Sequence, residues 1–472
     1  MSAQTGGLAA AARRVLQLAV QVHADDPATA AWLHGQLARL DEPLRVAIAG
    51  KVKAGKSTLL NALVGEQVAP TDAGECTKVV TWYRDGPSPR IVLHPRSGAP
   101  RPLPVVRRDG ALVIDLAGTP AERVERLVVD WPSQSLRAAT LIDTPGIASL
   151  SAEVAHRTVA FLDPDDETPT EADAVVYLMR HPTVAVISRA DEIGGGRVDA
   201  LFSARAIASR YRADPAVRGL AQDVVAVAGL LAQTARTLRN DEFAALDELS
   251  RTPREDLDRE LLSVGRFLRG GREGDDAVRG SLVRRFGIFG VRLASTLIRQ
   301  GVRTPAALSA ELLARSGLDD LRRVLHTQFT ERRELLKARS ALLAVESVLR
   351  GDGHAPTGQR AALAAEIERI LAGAHEFTEL RTLGALRSGT TGLPRPVADE
   401  AEKLLGDAGS APAVRLGLPP DTAPHELRRA GFAALDRWQR HAVDPMLSHP
   451  AAEASRVVVR TCEGILASLH PR

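Results

Sequence analysis

The residues best suited to chemistry lie close together near the amino terminus, in the stretch AIAGKVKAGKSTLLNALVG at 47–65. It satisfies the pattern GxxxxGK[ST] between an apolar strand pattern and a helical one, which is the context that a phosphate-binding loop needs. Backbone amides of such a loop surround the β-phosphate, the lysine reaches the β- and γ-phosphates, and the serine hydroxyl binds Mg²⁺. The predicted nucleotide-binding residues of the loop are Gly50, Lys51, Val52, Lys53, Ala54, Gly55, Lys56, Ser57 and Thr58.

A second motif, TLIDTPG at 140–146, supplies the groups that a triphosphate site still lacks. Asp143 ends an apolar strand pattern and can hold the Mg²⁺ shell, while the amide of Gly146 can sense a γ-phosphate. Between the two motifs, Thr77 lies in a polar loop where a mobile switch threonine would complete the Mg²⁺ coordination. Thr71 lies in the same loop, so Thr77 can also be an ordinary residue at the start of a strand.

The elements that position these motifs change character along the chain. Apolar residues at helical spacing predict two short helices before residue 42, and short β-branched runs alternate with helical stretches from Leu44 to about residue 240. Leucine-rich helical patterns then continue to the end of the chain. The fold class predicted is an α/β P-loop domain with a mostly parallel sheet, followed by an elongated α-helical bundle.

Composition restricts the functional classes. The chain has 472 residues, a net charge of +3 and only two cysteines, Cys76 and Cys462. This slight excess of basic residues is unlike a dedicated nucleic-acid binder, and so few cysteines are typical of a reducing compartment, so we expect a cytoplasmic protein. No apolar run approaches the roughly 20 residues of a membrane-spanning helix, which leaves only peripheral membrane contact.

The order of phosphate loop, switch threonine and DTPG resembles the translation-factor class of GTPases. With the helical hairpin before it and the long helical region after it, the chain is similar to the bacterial dynamin-like proteins. The stretches GKVKAGKSTLLNAL, LIDTPGI, VISRADE and RRFGIFGVRLA resemble the isoniazid-inducible members of that family in mycobacteria. The resemblance implies GTP hydrolysis with Mg²⁺, coupled to dimerisation of the GTPase domains and to movement of a helical stalk that touches membrane.

Site roles follow from this resemblance residue by residue. Lys56 and Ser57 bind phosphate and Mg²⁺, Thr77 is the switch threonine, and 143–146 form the second switch, with Asp143 reaching the metal through water. The base-reading motif of the family is matched by SRAD at 188–191. Asp191 can accept hydrogen bonds from guanine N1 and N2, which adenine cannot offer. Ser188 and Arg189 depart from the family pattern, and the Arg189 guanidinium or its apolar stem can lie along the base.

The phosphate loop also departs from dynamins proper, which carry a polar side chain where this chain has Val52. We therefore expect slow hydrolysis by the isolated protein. Lys53 lies where dynamins hold a charge-neutralising cation, and one hypothesis is that Lys53 supplies this charge itself, as a third catalytic residue beside Lys56 and Thr77. Lys51 and Lys53 can equally be solvated lysines that enrich the phosphate field. The turnover rate of Lys53→Ala at saturating GTP separates these two hypotheses, because an unchanged rate rejects a catalytic role for Lys53.

The predicted domains are a hairpin at 1–42 that packs on the stalk, a GTPase domain at 43–316, and a neck and stalk bundle at 317–472. The resemblance implies a dimer, with itself or with a sister protein, and an anionic membrane at the inner face of the plasma membrane. No nucleic acid is expected. AVRLGLPP at 413–420 and GDGHAPTG at 351–358 are candidate membrane contacts, and both can also be ordinary helix connections.

Two other functions remain open. A regulatory GTPase switch would bind RNA, ribosomes or a protein partner, and an RNA-binding module would show a basic sheet or a GXXG loop in the carboxy-terminal region, where this chain has helices of mixed charge. A P-loop ATPase would lack the DTPG and SRAD combination, and nucleotide competition tests it.

One feature conflicts with the rest. The stretches ADAVVYLMR at 172–180 and TVAVISRAD at 183–191 both have the character of parallel strands, but only His181 and Pro182 separate them. Parallel neighbours need a crossover of a dozen or more residues, usually a helix. An antiparallel pair would instead carry Asp191 to the wrong end of the sheet. We therefore expect that a helical segment of roughly 20 to 30 residues belongs between His181 and Pro182.

Overall fold

The computed structural model describes most of the chain, with several gaps near the nucleotide motifs. The residues described are 2–50, 54–70, 79–108, 110–145, 172–178, 183–197, 199–218, 221–270, 276–350 and 357–469. Lys51, Val52, Lys53, Thr77, Gly146, His181 and Pro182 lie outside these ranges, so the predictions that concern them stay predictions.

The strands form one large sheet and one small one. They are β1 (Leu44–Gly50), β2 (Thr81–Asp85), β3 (Arg90–Pro95), β4 (Arg101–Leu103), β5 (Val106–Arg108), β6 (Ala111–Val113), β7 (Val124–Trp131), β8 (Ala139–Asp143), β9 (Ala174–Leu178), β10 (Thr183–Ser188) and β11 (Ala221–Val227). The large sheet has the order β11-β10-β9-β1-β8-β2-β7-β3-β4, and β5 pairs with β6 apart from it.

The half of the sheet that carries the nucleotide motifs is parallel throughout. Strands β11, β10, β9, β1 and β8 run in one direction, and β2 then pairs with β8 in the opposite direction. Strands β2 and β7 are parallel to each other, whereas β3 runs antiparallel to both β7 and β4. The prediction of a mostly parallel sheet is therefore confirmed among the described strands. The carboxyl ends of five neighbouring strands meet at one edge.

Helices flank this sheet and make up all the described regular structure after β11. They are α1 (Ser2–Val22), α2 (Pro27–Arg39), α3 (Lys56–Val64), α4 (Gln134–Ala138), α5 (Ala200–Ala213), α6 (Pro215–Arg218), α7 (Gly229–Arg236), α8 (Asn240–Arg251), α9 (Arg254–Glu260), α10 (Val264–Arg269), α11 (Asp276–Arg299), α12 (Pro305–Arg315), α13 (Leu318–Leu325), α14 (Arg333–Arg350), α15 (Thr357–Gly373), α16 (His375–Arg387), α17 (Arg395–Leu404), α18 (Pro412–Arg415), α19 (Pro424–Ala442) and α20 (His449–Ser468). Short 3₁₀ turns at Ala121–Arg123 and Ala190–Gly195 and a π turn at His326–Thr330 complete the set.

The strand patterns in the sequence identify most of the sheet but not all of it. The run ALVID at 111–115 gives β6 of the separate hairpin, so it is not part of the main sheet. Strand β7, with the sequence VERLVVDW, lies between β2 and β3 and has no counterpart among the predicted strands. Its charged residues at 125, 126 and 130 interrupt the apolar pattern, although the two ends of the strand, Val124 and Trp131, are only 3% and 5% exposed.

The first two helices pack against the helical region and not against the sheet. Leu16 of α1 and Leu33 of α2 are fully buried in an apolar cluster that also contains Leu342 of α14 and Ile367 of α15. Lys337 of α14 donates from Nζ to the carbonyl oxygens of Arg39, at 2.8 Å, and Leu40, at 3.0 Å. The amino-terminal hairpin and α14 therefore form one apolar core with α15.

The stretch at 413–420, one of two candidate membrane contacts, is not suited to that role. Arg415 is buried, and its guanidinium donates to the carbonyl oxygen of Leu404 at 2.6 Å and to a carboxylate oxygen of Glu379 at 2.5 Å. A charge held in this way inside the bundle is unavailable to lipid. No described helix is both long and apolar enough to cross a membrane. The competing turn at 351–356 lies outside the described residues.

Strands β9 and β10 are parallel, with Val184 beside Val176 and Ala185 beside Tyr177. The antiparallel alternative, which would have removed Asp191 from the nucleotide edge, is wrong. Only four residues, 179–182, separate the two strands in sequence, and they lie outside the described residues. The conflict between strand direction and link length therefore persists.

We expect the natural protein to be larger than 50.4 kDa, the mass of this sequence. A crossover helix of roughly 20 to 30 residues between 181 and 182 would add about 2 to 3 kDa. Intact-mass measurement and peptide sequencing of the protein purified from its own cells test this. A mass of 50.4 kDa with a peptide that runs continuously through His181 and Pro182 would contradict it.

A second expectation concerns Asn61, which is 1% exposed on α3. Its Oδ1 accepts hydrogen bonds from the amides of Val68 and Ala69, and its Nδ2 donates to the carbonyl of Ala69. Asn61→Ala leaves these buried backbone groups unpaired, so unfolding free energy should fall by about 2 to 4 kcal/mol. Denaturant titration measures it, with Asn240→Ala at an exposed position as the control. Equal stability of both variants would contradict the role.

Candidate nucleotide-binding site

The phosphate loop joins the end of a central strand to the start of a helix. Strand β1 ends at Gly50, and α3 begins at Lys56. Gly55, immediately before the helix, has φ 88° and ψ 23°, a left-handed conformation that glycine adopts without strain. The first amides of α3 thus point toward the carboxyl edge of the sheet, where they can bind an anion.

Lys56 is held across the mouth of this loop. Its Nζ donates to the carbonyl oxygen of Gly50 at 3.1 Å. Burial lowers the pKa of Lys56, and the nearby Asp143 carboxylate opposes that effect. The ammonium group is therefore partly desolvated, which strengthens its attraction for a phosphate that enters the loop.

Ser57 and Asp143 join the two sequence motifs directly. The Ser57 hydroxyl donates to Oδ2 of Asp143 at 2.8 Å, across 86 residues of sequence. Oδ1 of Asp143 is shielded from solvent and has no hydrogen-bond partner among the described residues. Burial raises the pKa of Asp143 to about 6, against the opposing effects of the Ser57 hydrogen bond and the Lys56 charge.

This pair fits a Mg²⁺ site in which Ser57 would bind the metal directly and Asp143 would bind it through water. A serine hydroxyl and a carboxylate offer the hard oxygen atoms that Mg²⁺ prefers, and the rest of its octahedral shell is usually water and substrate phosphate. Within the described part of the chain, no group of three or more His, Cys, Asp or Glu residues is placed to hold a metal on its own. A metal at Ser57 and Asp143 would therefore depend on the nucleotide.

Thr144 fixes the start of the second switch on β1. Its amide and its hydroxyl both donate to the carbonyl oxygen of Ile48, at 3.3 and 3.0 Å, and the residue is 3% exposed. Because Ile48 precedes the phosphate loop by two residues, these hydrogen bonds fix the start of the second switch relative to the phosphate loop. The sequence TPG alone does not indicate this role for the threonine side chain.

The base-reading motif follows β10 at the same edge. Asp191 is 6% exposed, and its burial raises the pKa of its carboxyl group. Arg189 has φ 53°, which is unusual for a residue other than glycine, and its guanidinium pairs with Glu192 at 3.0 Å on the surface. Arg189 therefore turns the chain from the strand into the 3₁₀ turn that carries Asp191.

The end of β11 forms the third side of the cleft. Ser188 at the end of β10 lies beside Val227 at the end of β11, and a Cβ on Gly229 would lie 3.6 Å from the Thr58 side chain. The amide of Ala228 donates to the carbonyl oxygen of Ser316 at 2.9 Å. Residues 225–227 are therefore the buried end of β11, and α7 begins at Gly229.

The contact of Ser316 and Gly317 with the end of β11 was not predicted from the sequence. Gly317 has φ 79°, and a Cβ there would overlap the carbonyl oxygen of Ala226, so only glycine fits this close approach. The only signal in the sequence is a glycine directly before a helical pattern, which usually marks nothing more than a helix boundary. The contact connects the side of the cleft where the base would lie to the start of α13.

The structure thus brings together the predicted residues that it describes. Gly50, Ala54, Gly55, Lys56, Ser57 and Thr58 lie in the loop and the first turn of α3, Asp143 ends β8, and Ser188, Arg189 and Asp191 follow β10. All of them occupy the carboxyl edge of the parallel half of the sheet. Their roles in binding nucleotide remain predictions.

Known proteins resemble this chain in a way that agrees with the site. The sequence profile of the dynamin family matches residues 46–97, which include the phosphate loop. The isoniazid-induced protein IniC of Mycobacterium tuberculosis is 42% identical over 463 positions, which span 92% of this chain and 92% of IniC. The bacterial dynamin-like protein of Nostoc punctiforme is 33% identical over 118 positions, or 22% of this chain and 16% of that protein.

A likeness to solved structures is weaker. An oligomerised bacterial dynamin pair, described as a mechanism for long-range sensing and tethering of membranes, matches 77% of this chain and 79% of its own. It is 13% identical with a TM-score of 0.29, which is too low to support a statement about the present fold.

The IniC alignment also bears on the link between β9 and β10. It runs over 463 positions, whereas 92% of the 472 residues is about 434, so about 29 aligned positions face gaps in this chain. A gap total of this size supports the crossover that the parallel strands require, without placing it in the chain.

The match to IniC covers nearly the whole of both chains, and the phosphate loop, the DTPG strand end and the SRAD turn lie in one cleft. The chain belongs to the bacterial dynamin-like proteins of the isoniazid-induced IniC type.

Proposed function

We propose that this protein binds and hydrolyses GTP with Mg²⁺, and that hydrolysis drives a conformational change used in peripheral membrane remodelling or maintenance. The observation that carries the proposal is the Ser57–Asp143 hydrogen bond beside Lys56, with Oδ1 of Asp143 buried and without a hydrogen-bond partner among the described residues. A structural pair in a protein core would have both carboxylate oxygens satisfied. The unpaired oxygen instead fits a site completed by a hydrated cation.

Each side chain of the cleft has a defined task in this proposal. Lys56 exchanges the Gly50 carbonyl for the β- and γ-phosphates, and the first amides of α3 bind the β-phosphate. The Ser57 hydroxyl would hold Mg²⁺ directly and Asp143 would hold it through water. When bound, Mg²⁺ neutralises charge on the β- and γ-phosphate oxygens. Thr77 would close over the γ-phosphate, and we expect a low basal rate because Val52 stands where dynamins proper carry a polar side chain.

Guanine is the proposed base because of Asp191. A buried carboxylate at this edge can accept from guanine N1 and N2, and a base without those donors would leave it unpaired. Burial raises the pKa of the Asp191 carboxyl group, and a hydrogen bond from its own backbone amide opposes that effect. This argument favours a GTPase over the alternative P-loop ATPase.

The proposed membrane contact is the turn between α19 and α20. Met446 is 89% exposed and Val443 is 78% exposed, the two highest values among the large hydrophobic side chains described. The exposed Arg440 and His449 flank them, a mixture that suits an anionic bilayer surface. These two exposed side chains, three residues apart, form a small apolar patch at this turn that a membrane surface would cover.

The oligomer is proposed to be a dimer through the GTPase domain, with a second copy or a sister dynamin-like protein. The proposed location, at the inner face of the plasma membrane, rests on the family resemblance and on the membrane contact proposed for the turn between α19 and α20. The second candidate, a GTPase switch on RNA or ribosomes, receives less support. After Val227 the described residues contain no strand, so the sheet of a typical RNA-binding module is not found there.

Lys56→Ala should abolish binding of both GTP and GDP, because no other side chain spans the two terminal phosphates within the loop. Thr77→Ala should keep binding and lose hydrolysis, because GDP needs no switch threonine. Fluorescent-nucleotide titration and phosphate release measure the two effects. Normal GTP affinity in Lys56→Ala refutes the site, and equal loss of GDP and GTP affinity in Thr77→Ala indicates a folding defect.

Val443→Asp combined with Met446→Asp should reduce binding to phosphatidylglycerol liposomes by at least about tenfold, since burying each such side chain contributes about 1.5 to 3 kcal/mol. Co-sedimentation with and without GTP measures this. Phe432→Asp, a change of the same kind at a 56% exposed position of α19, is the matched control. If the double variant sediments as much as the unmodified protein, the turn is not the contact. If the unmodified protein does not sediment either with or without GTP, the membrane proposal fails.

A further inference from the structure

The GTPase domain touches the distal helices at a place far from its covalent connections in sequence. Arg218, at the end of α6, donates from one guanidinium nitrogen to both carboxylate oxygens of Glu402 in α17, at 2.5 Å each. The two side chains are only 14% and 6% exposed. Asp399 lies 3.9 Å from Arg218, and Arg395 lies 3.5 Å from Glu402.

The surroundings of this pair are polar and incompletely satisfied. A cavity of about 500 Å³ lies between the two bodies, with Asp223 on the GTPase side and Arg387 and Asp407 on the bundle side among its lining residues. Three buried polar atoms along it have no hydrogen-bond partner among the described residues, namely Nε of Arg218, Oε1 of Gln222 and Oε1 of Gln328. Such atoms gain hydration when a contact opens, so this joint is unlike an apolar core that stays closed.

The covalent connections converge at the first turns of α14, next to this cavity, because Gln328 of the preceding π turn is one of its lining residues. Lys337 holds the carbonyls of Arg39 and Leu40 just before β1, and Arg333 donates to the carbonyl of Glu42 at 3.0 Å. The other connection enters α14 directly from the π turn at 326–330. Both chain crossings therefore meet at one helix end, which is the arrangement of a pivot.

We propose that the Arg218–Glu402 ion pair is a latch that fixes the angle between the GTPase domain and the helical bundle about this pivot. A pivot alone leaves rotation free, and a contact away from it removes that freedom. The pair lies among buried polar atoms that have no partner among the described residues, so opening the contact would return these atoms and both charged groups to water. The latch does not depend on GTP hydrolysis, so it can be tested without nucleotide.

Small-angle X-ray scattering of the full nucleotide-free chain provides the test. Glu402→Gln and Arg218→Gln should each raise the radius of gyration by about 2 Å or more, on a scale of roughly 23 Å for a compact chain of 472 residues. The double variant should expand no further than either single variant, because both remove the same interaction. Glu400→Gln is the matched control, since Glu400 lies on the same helix but pairs with Arg437 inside the bundle.

A folding defect is separated from an open latch by circular dichroism. The helical circular dichroism signal of the single variants should equal that of the unmodified protein. Unchanged radii in both single variants overturn the latch. Additive expansion in the double variant, or expansion of Glu400→Gln by the same amount, also overturns it.

Discussion

The arrangement of the site depends on one constraint, that five neighbouring strands run parallel and end at the same edge of the sheet. A parallel strand delivers its last residue beside the last residue of its neighbour, so Gly50, Asp143 and Ser188 lie along one line although about 140 residues of sequence separate the first from the last. The Ser57–Asp143 hydrogen bond is a consequence of this edge. The same constraint makes the four-residue link after β9 difficult to reconcile with the rest of the fold.

The parts of the site that sequence could predict are those set by local spacing. Glycines at 50 and 55, the lysine after them and an aspartate at the end of an apolar run each have a meaning within a few residues, so strand, loop and helix follow from the letters alone. The helices after residue 240 could also be predicted, because amphipathic periodicity is a local property of the sequence. Strand β7 was missed since its charged residues make sense only from its position in the sheet.

The parts that could not be predicted depend on partners distant in sequence. Arg415 stands among leucines in a loop and has the pattern of a membrane-facing basic residue, but Glu379 buries it in an ion pair. Nothing within ten residues of Arg415 indicates that partner. Asn61 is similar, because an asparagine inside a helical pattern usually faces solvent, whereas here it holds the backbone of the following loop. Tertiary hydrogen bonds decided both cases against the local signal.

Strand β11 lies between the nucleotide cleft and the contact with the helical bundle. Arg218 lies three residues before its first residue, and the Ala228 amide, bound to Ser316, lies directly after its last. Both contacts tie an end of β11 to residues distant in sequence, one to α17 at the bundle cavity and one to the loop between α12 and α13 at the base side of the nucleotide cleft. Strand β11 lies at the edge of the sheet and pairs with β10 along its length, from Thr183 beside Ala221 to Ser188 beside Val227. One strand therefore has the Arg218 ion pair just before its first residue and the Ala228 hydrogen bond just after its last, so the same element positions the nucleotide edge and the contact with the bundle.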